Sequence, residues 1–360
     1  MTDSFDPSNS ATDALSGPAE PDSAPLRSEA VAPVGRRLRP RLLRLGVLIL
    51  GLIVLVTGTG FGVGGWLYYR SIENDIPRVD AFAQVPAAER PEPVARKAIN
   101  LLILGSDSRD RDLAHSRADT IILAHLKGDR QKAQLVSIPR DTWVYVPKSA
   151  DGRHGGTNAK INAALAWGGT PLIVRTVEKF TGVRIDHVVL IDFAGFEGII
   201  DALGGVDVKV DRSFTSIARP FRKFKVGTQT MDGAAALDYA RQRQQFPDGD
   251  FSRIRHQQAV INAVLTEAAT GGLLTDPARL NTFLRAVAKA VTVDKSLSIF
   301  EMASELRHLR GDDLEFLTSP SRGTGRVSGQ SVVLPDRSRA AALYNALKRD
   351  RADALFNGAQ

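Results

Sequence analysis

Between Leu45 and Tyr69 the chain runs for 25 residues without a charged side chain. A helix of about 20 apolar residues crosses the hydrocarbon core of a bilayer, so this run spans it with some tilt. A buried core helix of that length would carry a polar face. A cleaved signal peptide has a shorter apolar stretch nearer the N-terminus, whereas 44 residues precede this one. Trp66, Tyr68 and Tyr69 close the run with rings suited to the membrane–water boundary. Residues 45–69 therefore read as a transmembrane helix.

Flanking charge gives the orientation. Arg36, Arg37, Arg39, Arg41 and Arg44 lie just before the apolar run, while Arg70 is followed by Glu73 and Asp75. The basic side stays in the cytoplasm, which makes this a single-pass cell-membrane protein with its C-terminal part outside. The net charge is +7. This orientation argues against a nucleic-acid partner and leaves membrane lipid or acidic glycan for the basic surplus. Residues 1–33 are rich in Ser, Ala, Pro and Asp without apolar periodicity, a disordered tail within a cytoplasmic region 1–44. Gly60, Gly62 and Gly65 match a dinucleotide fingerprint by letter, but no strand precedes them and they lie inside the anchor. Small residues four apart could instead pack two anchors as a dimer.

Pro77, Pro86, Pro91 and Pro93 make residues 70–97 read as a linker, with a short helix near Ala87. From Ala98 onward, short apolar runs alternate with helix-period segments. Strands are expected over 99–104, 120–126, 133–138, 143–146, 187–191 and 206–210. Helices are expected over 161–167, 172–180, 193–203, 232–241, 254–268, 277–290 and 340–349. The pattern predicts one α/β (α+β layered) domain over 98–350, a central mixed sheet flanked by helices, with a tail over 351–360. The chain has no cysteine, which excludes disulfides, thiolate metal sites and cysteine nucleophiles. The six histidines show no H-E-x-x-H spacing, and neither a G-x-S-x-G elbow nor a Walker A loop occurs.

Polar residues gather where apolar runs end. Leu101–Gly105 stops at Ser106-Asp107-Ser108-Arg109, Arg117-Ala118-Asp119 opens the next run, and Ser137-Ile138-Pro139-Arg140-Asp141 closes the third. In open α/β sheets such strand ends converge on one pocket. Aspartates are hard ligands for Mg²⁺ and guanidinium forks match phosphate oxygens, a combination suited to phosphoryl transfer. Taken singly, each motif is also ordinary turn chemistry. Arg241 and Arg243 end one helix, and Arg253 opens another beside Asp250 and Ser252, either of which could cap it. A helix start with arginines suits phosphate, or these are basic residues on a solvated face.

The ordered set resembles the LytR–CpsA–Psr family of wall glycopolymer transferases. The match is carried by Gly105-Ser-Asp107-Ser-Arg109, Arg117-Ala-Asp119-Thr, Ser137-Ile-Pro139-Arg140-Asp141, Lys160-Ile-Asn162, Asp192-Phe193, Asp201-Ala-Leu-Gly204-Gly205-Val206, Met231-Asp-Gly233, Tyr239-Ala-Arg241-Gln-Arg243 and Asp250-Phe-Ser-Arg253. The resemblance implies an Mg²⁺-dependent transferase that moves a glycan phosphate from a polyprenyl-pyrophosphate carrier, bound in an apolar pocket, to peptidoglycan. It makes Asp107 and Asp119 the metal aspartates and Arg117, Arg140, Arg241, Arg243 and Arg253 the phosphate-holding arginines. Arg117, Arg140 and Asp141 are the candidate catalytic residues, with Asp141 either orienting Arg140 or assisting the incoming hydroxyl. His256 stands where many members carry Arg. The helix Phe193–Ile200 either lines the lipid channel or is plain core. Two other readings stay open: a polyprenyl-pyrophosphate phosphatase, and a non-catalytic membrane-anchored regulator that binds lipid or wall.

Overall fold

The computed structural model describes residues 68, 70–83, 85–106 and 116–357. The N-terminal tail, the arginine cluster before the anchor, the apolar run as a membrane span, and Asp107, Ser108 and Arg109 lie outside the described residues. After a helical turn α1 over residues 70–75, the elements follow as β1 (Arg78–Val79), β2 (Ile99–Ser106), β3 (Ala118–Leu126), β4 (Ala133–Ser137), β5 (Trp143–Val146), β6 (Thr157–Lys160), α2 (Ala163–Thr181), β7 (His187–Asp192), α3 (Phe193–Leu203), β8 (Val206–Val210), β9 (Phe214–Thr215), β10 (Lys223–Phe224), β11 (Gly227–Met231), α4 (Gly233–Arg241), α5 (Asp250–Thr270), α6 (Pro277–Ala290), β12 (Val291–Asp294), α7 (Ile299–Leu306), β13 (Leu314–Thr318), β14 (Ser321–Val327), β15 (Gln330–Pro335), α8 (Arg337–Lys348) and α9 (Asp353–Asn357).

The expected central mixed sheet has seven strands in the order β1-β12-β7-β2-β3-β4-β13. β2 and β7 are parallel, as are β4 and β13, while β3 runs antiparallel to both β2 and β4. The C-terminal ends of β2, β4, β7 and β13 therefore arrive at one edge of the sheet, where β3 begins. The apolar continuity of these strands follows from burial on both faces. Leu102, Leu104, Ile121, Leu123 and Val136 pack toward α2 and α8. Leu101, Ile122, Ala124 and Leu135 belong to the cluster on the other face. Each fully buried leucine contributes about 2–3 kcal/mol of transfer free energy. β8 instead alternates buried and exposed residues, the mark of a one-sided strand, and pairs with β11 in a small separate ladder.

The two helices expected over 161–167 and 172–180 are one element, α2, broken at Gly168 and Gly169. Gly169 takes φ +62° with ψ −160°, a conformation essentially reserved for glycine. The stretch 70–97, expected as a linker, supplies the edge strand β1, which pairs with β12. Arg78 ties it down by donating to the carbonyls of Asp294, Lys295 and Leu297 at 3.2, 3.3 and 2.7 Å. Ile72, Ile76 and Ala81 are buried in the two main core clusters. The short helix expected near Ala87 is a 3₁₀ turn, Ala87–Glu89.

α3 and α6 approach closely because Gly195 lacks a side chain, and a Cβ there would lie 2.5 Å from Ala290 Cα. Gly195→Val is therefore expected to force the helices apart and cost about 1–3 kcal/mol, as overpacking does. Thermal unfolding of the variant beside the native chain measures this, and an unchanged melting temperature would contradict the packing.

Candidate active site

Residues that look unrelated in sequence are brought together at the edge where the parallel strands end. Asp119 is the second residue of β3 and pairs with Arg140, which follows β4. Arg140 Nε also lies 3.8 Å from Asp250 Oδ2. Asp250 opens α5, and its Oδ1 accepts from Arg243 at 3.1 Å and lies 3.4 Å from Arg253 Nη2. Three guanidinium groups thus surround two carboxylates. Arg253 is 6% exposed, and burial pulls its pKa down, with Asp250 opposing that shift. The Nε atoms of both Arg140 and Arg253 are buried without a hydrogen-bond partner. A buried donor left in this way is costly, and an oxyanion is the ligand that satisfies several such donors at once.

Arg241 stands one residue from this cluster, with its guanidinium 4.8 Å above the Phe193 ring. Arg117 is exposed at the start of β3. Asp141 does not orient Arg140, because its carboxylate lies 3.3 Å from Lys160 Nζ. Asp119 and Asp250 do that instead. Neither Asp250 nor Ser252 caps α5: the N-cap is Gly249, and the Ser252 hydroxyl donates to Asp248. Asp250 as the shared acid of the cluster was not foreseen as a site residue. Its signal was its place as a carboxylate among Arg243, Arg253 and Arg255.

Several of the motif residues seat α3 and α4 through backbone contacts. Asp192 caps α3 through Gly195 N, and Asp232 caps α4 through Ala235 N. Asp201 accepts from Gly233 N at 2.8 Å. A Cβ on Gly233 would meet the Glu197 carbonyl oxygen at 2.3 Å, so glycine lets α4 lie against α3.

Behind the cluster an apolar cavity of about 380 Å³ runs between the sheet and the helices. Its sheet side extends from Leu126 and Ala133 along Leu101, Ala124, Ile103 and Ile122 to Gly105 and Thr120. At about 3.4 Å per residue, residues 120–126 make that wall roughly 20 Å long. Phe193, Phe196 and Ile199 of α3 line it, while Ile200 is buried in the neighbouring core. The channel and core readings of α3 are thus each right for different faces. Asp192 and Arg241 lie at the end shared with Gly105 and Thr120, and Leu306, Leu309 and Arg310 lie among the lining residues contributed by α7 and the turn after it.

His256 does not replace an arginine at the phosphate cluster. It is buried between Phe214, Tyr239 and Phe246, with ring centroids 5.5, 4.4 and 5.1 Å away. Burial pushes its pKa down and raises that of Tyr239 to about 12.

The fold and this site define a class. The LytR_cpsA_psr family model matches residues 72–349, and the chain belongs to that family. The cell wall biosynthesis protein LcpA of Corynebacterium glutamicum is 31% identical over 288 residues, which cover 69% of this chain and 55% of LcpA, little more than half its length. The polyisoprenyl-teichoic acid–peptidoglycan teichoic acid transferase TagU of Halalkalibacterium halodurans is 33% identical over 247 residues, or 68% of this chain and 77% of that protein. The crystal structure of TagV from B. subtilis superposes with a TM-score of 0.60 at 25% identity, covering 71% of this chain and 97% of that one.

A histidine held neutral by burial keeps its full contribution to stability above its ordinary pKa of 6.5. The unfolded chain takes up a proton below that pH and the folded chain does not, so stability falls as pH drops. His125, whose pKa is also lowered by burial, acts with the same sign. Melting curves between pH 7.5 and about 5 are expected to show this fall, made shallower by His256→Phe. An identical slope in the variant would contradict the assignment.

Proposed function

We propose that the chain is a membrane-anchored phosphotransferase that moves a glycan phosphate from a polyprenyl-pyrophosphate carrier to peptidoglycan. The observation that carries this reading is an apolar cavity lined at one end by Arg241, two residues before Arg243 of a cluster in which the Nε donors of Arg140 and Arg253 are buried without hydrogen-bond partners. A polyprenyl chain suits the cavity, and a pyrophosphate at its end reaches Arg241 and then Arg140, Arg243 and Arg253. The teichoic acid transferase named among the relatives acts on a substrate of this class. The apolar run over 45–69 would hold the domain at the outer face of the membrane, where a lipid-linked substrate resides.

In the reaction, the oxygen of the acceptor sugar hydroxyl bonds to the phosphorus that carries the glycan as its proton passes to a base, for which Asp141 is the candidate. The bond from that phosphorus to the bridging oxygen breaks, and polyprenyl phosphate leaves. The arginines orient both phosphates and offset the charge that develops on the leaving oxygen. Asp119 and Asp250 hold Arg140, Arg243 and Arg253 in place between substrates. Asp141, paired with Lys160, is available to the incoming hydroxyl rather than to Arg140.

Among the described residues no group of three or more Asp, Glu or His side chains could hold a metal. Mg²⁺ bound mainly through phosphate oxygens and water uses one or two carboxylates. Asp119, at the arginine cluster, fits that demand, with Asp107 as its expected companion. When bound, the ion would neutralise pyrophosphate charge.

The test is a transfer assay with the full chain in detergent, Mg²⁺, a polyprenyl-pyrophosphoryl glycan and peptidoglycan oligomers. Glycan phosphate is expected on the oligomer, with Arg140→Ala and Asp119→Ala each reduced at least about 100-fold while still folded. Full activity in both variants contradicts the mechanism. Phosphate release without transfer would mark a phosphatase, and lipid binding without turnover a binding protein.

A further inference from the structure

The β9–β10 hairpin stands beside the arginine cluster and has two unlike faces. Its inner face is fixed: Phe214 and Phe224 pack against each other with ring centroids 5.0 Å apart and join the cluster of Tyr239 and His256. Gln242, the residue between Arg241 and Arg243, is buried, and its Oε1 accepts from Ile217 N at 3.2 Å. Arg222 reaches Asp238 on α4 at 3.7 Å. The hairpin is thus tied to the helix that carries the phosphate-binding arginines.

Its outer face is apolar and basic. Ile217 and Phe221 at the tip are 51 and 53% exposed, and Val226 at the base, beside Ser213, is 66% exposed. Phe221 holds φ +59°, a conformation that costs a bulky residue energy, while its ring gains no burial in exchange. Strain of this kind with an exposed aromatic side chain marks a residue kept for contact with something else. Arg219 and Lys223 are exposed next to the tip in sequence and Arg212 and Lys225 are exposed at the base, against the single acid Asp211 in residues 211–226. Apolar tips ringed by cations match a bilayer interface, where the tips enter the acyl boundary and the cations meet anionic headgroups. A glycan surface would offer flat sugar faces and hydroxyls, for which Ile217 and Val226 have no use.

We infer that the β9–β10 hairpin dips into the surface of an anionic membrane and holds the arginine-bearing helix α4 close to the lipid layer. The inference rests on the reading of the chain as membrane-anchored, and it gives the domain a second contact beyond the anchor. A lipid pyrophosphate could then reach the arginine cluster without its chain crossing open water.

The chain contains no cysteine, so one introduced thiol can be labelled alone. Ala218, exposed at the hairpin tip, leaves Ile217 and Phe221 intact when substituted. Full chain carrying Ala218→Cys with an environment-sensitive fluorophore is placed in nanodiscs of phosphatidylglycerol or of phosphatidylcholine, each doped with a spin-labelled lipid quencher. Arg153→Cys, on the β5–β6 connection, is the control. The Ala218 label is expected to be quenched several-fold more than the control in phosphatidylglycerol, and less in phosphatidylcholine. Each basic residue at an anionic surface shifts the balance roughly fivefold, so the pair Lys223→Glu and Lys225→Glu should return the label to water, as should Ile217→Ser with Phe221→Ser in part. Co-flotation of the chain with lipid reads the anchor, and quenching reads the hairpin, so failure of one is separable from failure of the other. A label as exposed as the control in phosphatidylglycerol, or one that responds only to a soluble anionic glycan, would overturn the inference, whereas a chain that does not float would overturn the anchor on which it rests.

Discussion

Asp250 holds together three guanidinium groups that would otherwise repel one another. Two like charges 4 Å apart repel by about 4 kcal/mol at an effective dielectric of about 20. Arg140, Arg243 and Arg253 come from two separate stretches of chain, and they converge only because the carboxylates of Asp250 and Asp119 lie between them. The balance still favours positive charge, with two buried Nε donors unmet. A pre-organised surplus of this kind is what an anionic substrate completes, and it explains why acids sit inside an anion site.

The sheet supplies the other half of the arrangement. Because β2, β4 and β7 end at one edge and β3 begins there, Asp119, Arg140 and Asp192 share a rim although they are far apart in sequence. The face of the same strands that is covered by α3, α4 and α5 remains loosely filled and forms the cavity. Gly105 marks the transition: a Cβ there would lie 2.9 Å from Thr120 Cβ, so the strands meet closely where the apolar wall gives way to polar residues. Chain specificity and phosphate chemistry are thereby carried by one continuous surface.

Much of this was legible in the sequence, for physical reasons. Buried central strands leave continuous apolar runs and one-sided strands leave alternation, so β2, β3, β4 and β7 on the first signal and β5 and β8 on the second were found within a residue or two. α3 and α6 were placed to the residue, helped by the capping Asp192 and by Pro277 in the first turn. The arginines at strand and helix ends were visible as a pattern. What was not legible depends on partners far along the chain. β1 is two residues long and exists only because β12 lies beside it. β13 is held to the sheet by its pairing with β4, far back along the chain, and α7 is only eight residues long. The role of His256 was hidden because its neighbours Phe214, Tyr239 and Phe246 come from three other segments. The contact of Asp250 with Arg140 was hidden for the same reason, although Arg243 and Arg253 are its neighbours in sequence.

The central claim is that cavity and arginine cluster form one binding site for a lipid phosphate. Native mass spectrometry of the full chain released from detergent, with polyprenyl phosphate added, tests it most directly when Ala124→Phe and Arg253→Gln are measured alongside. Ala124 lines the middle of the cavity wall, and Arg253 is the most buried arginine of the cluster. The account predicts one lipid per native chain, none in the variant with the blocked cavity, and binding weakened at least about tenfold in the variant with the altered cluster. Undiminished one-to-one binding by both folded variants would contradict it.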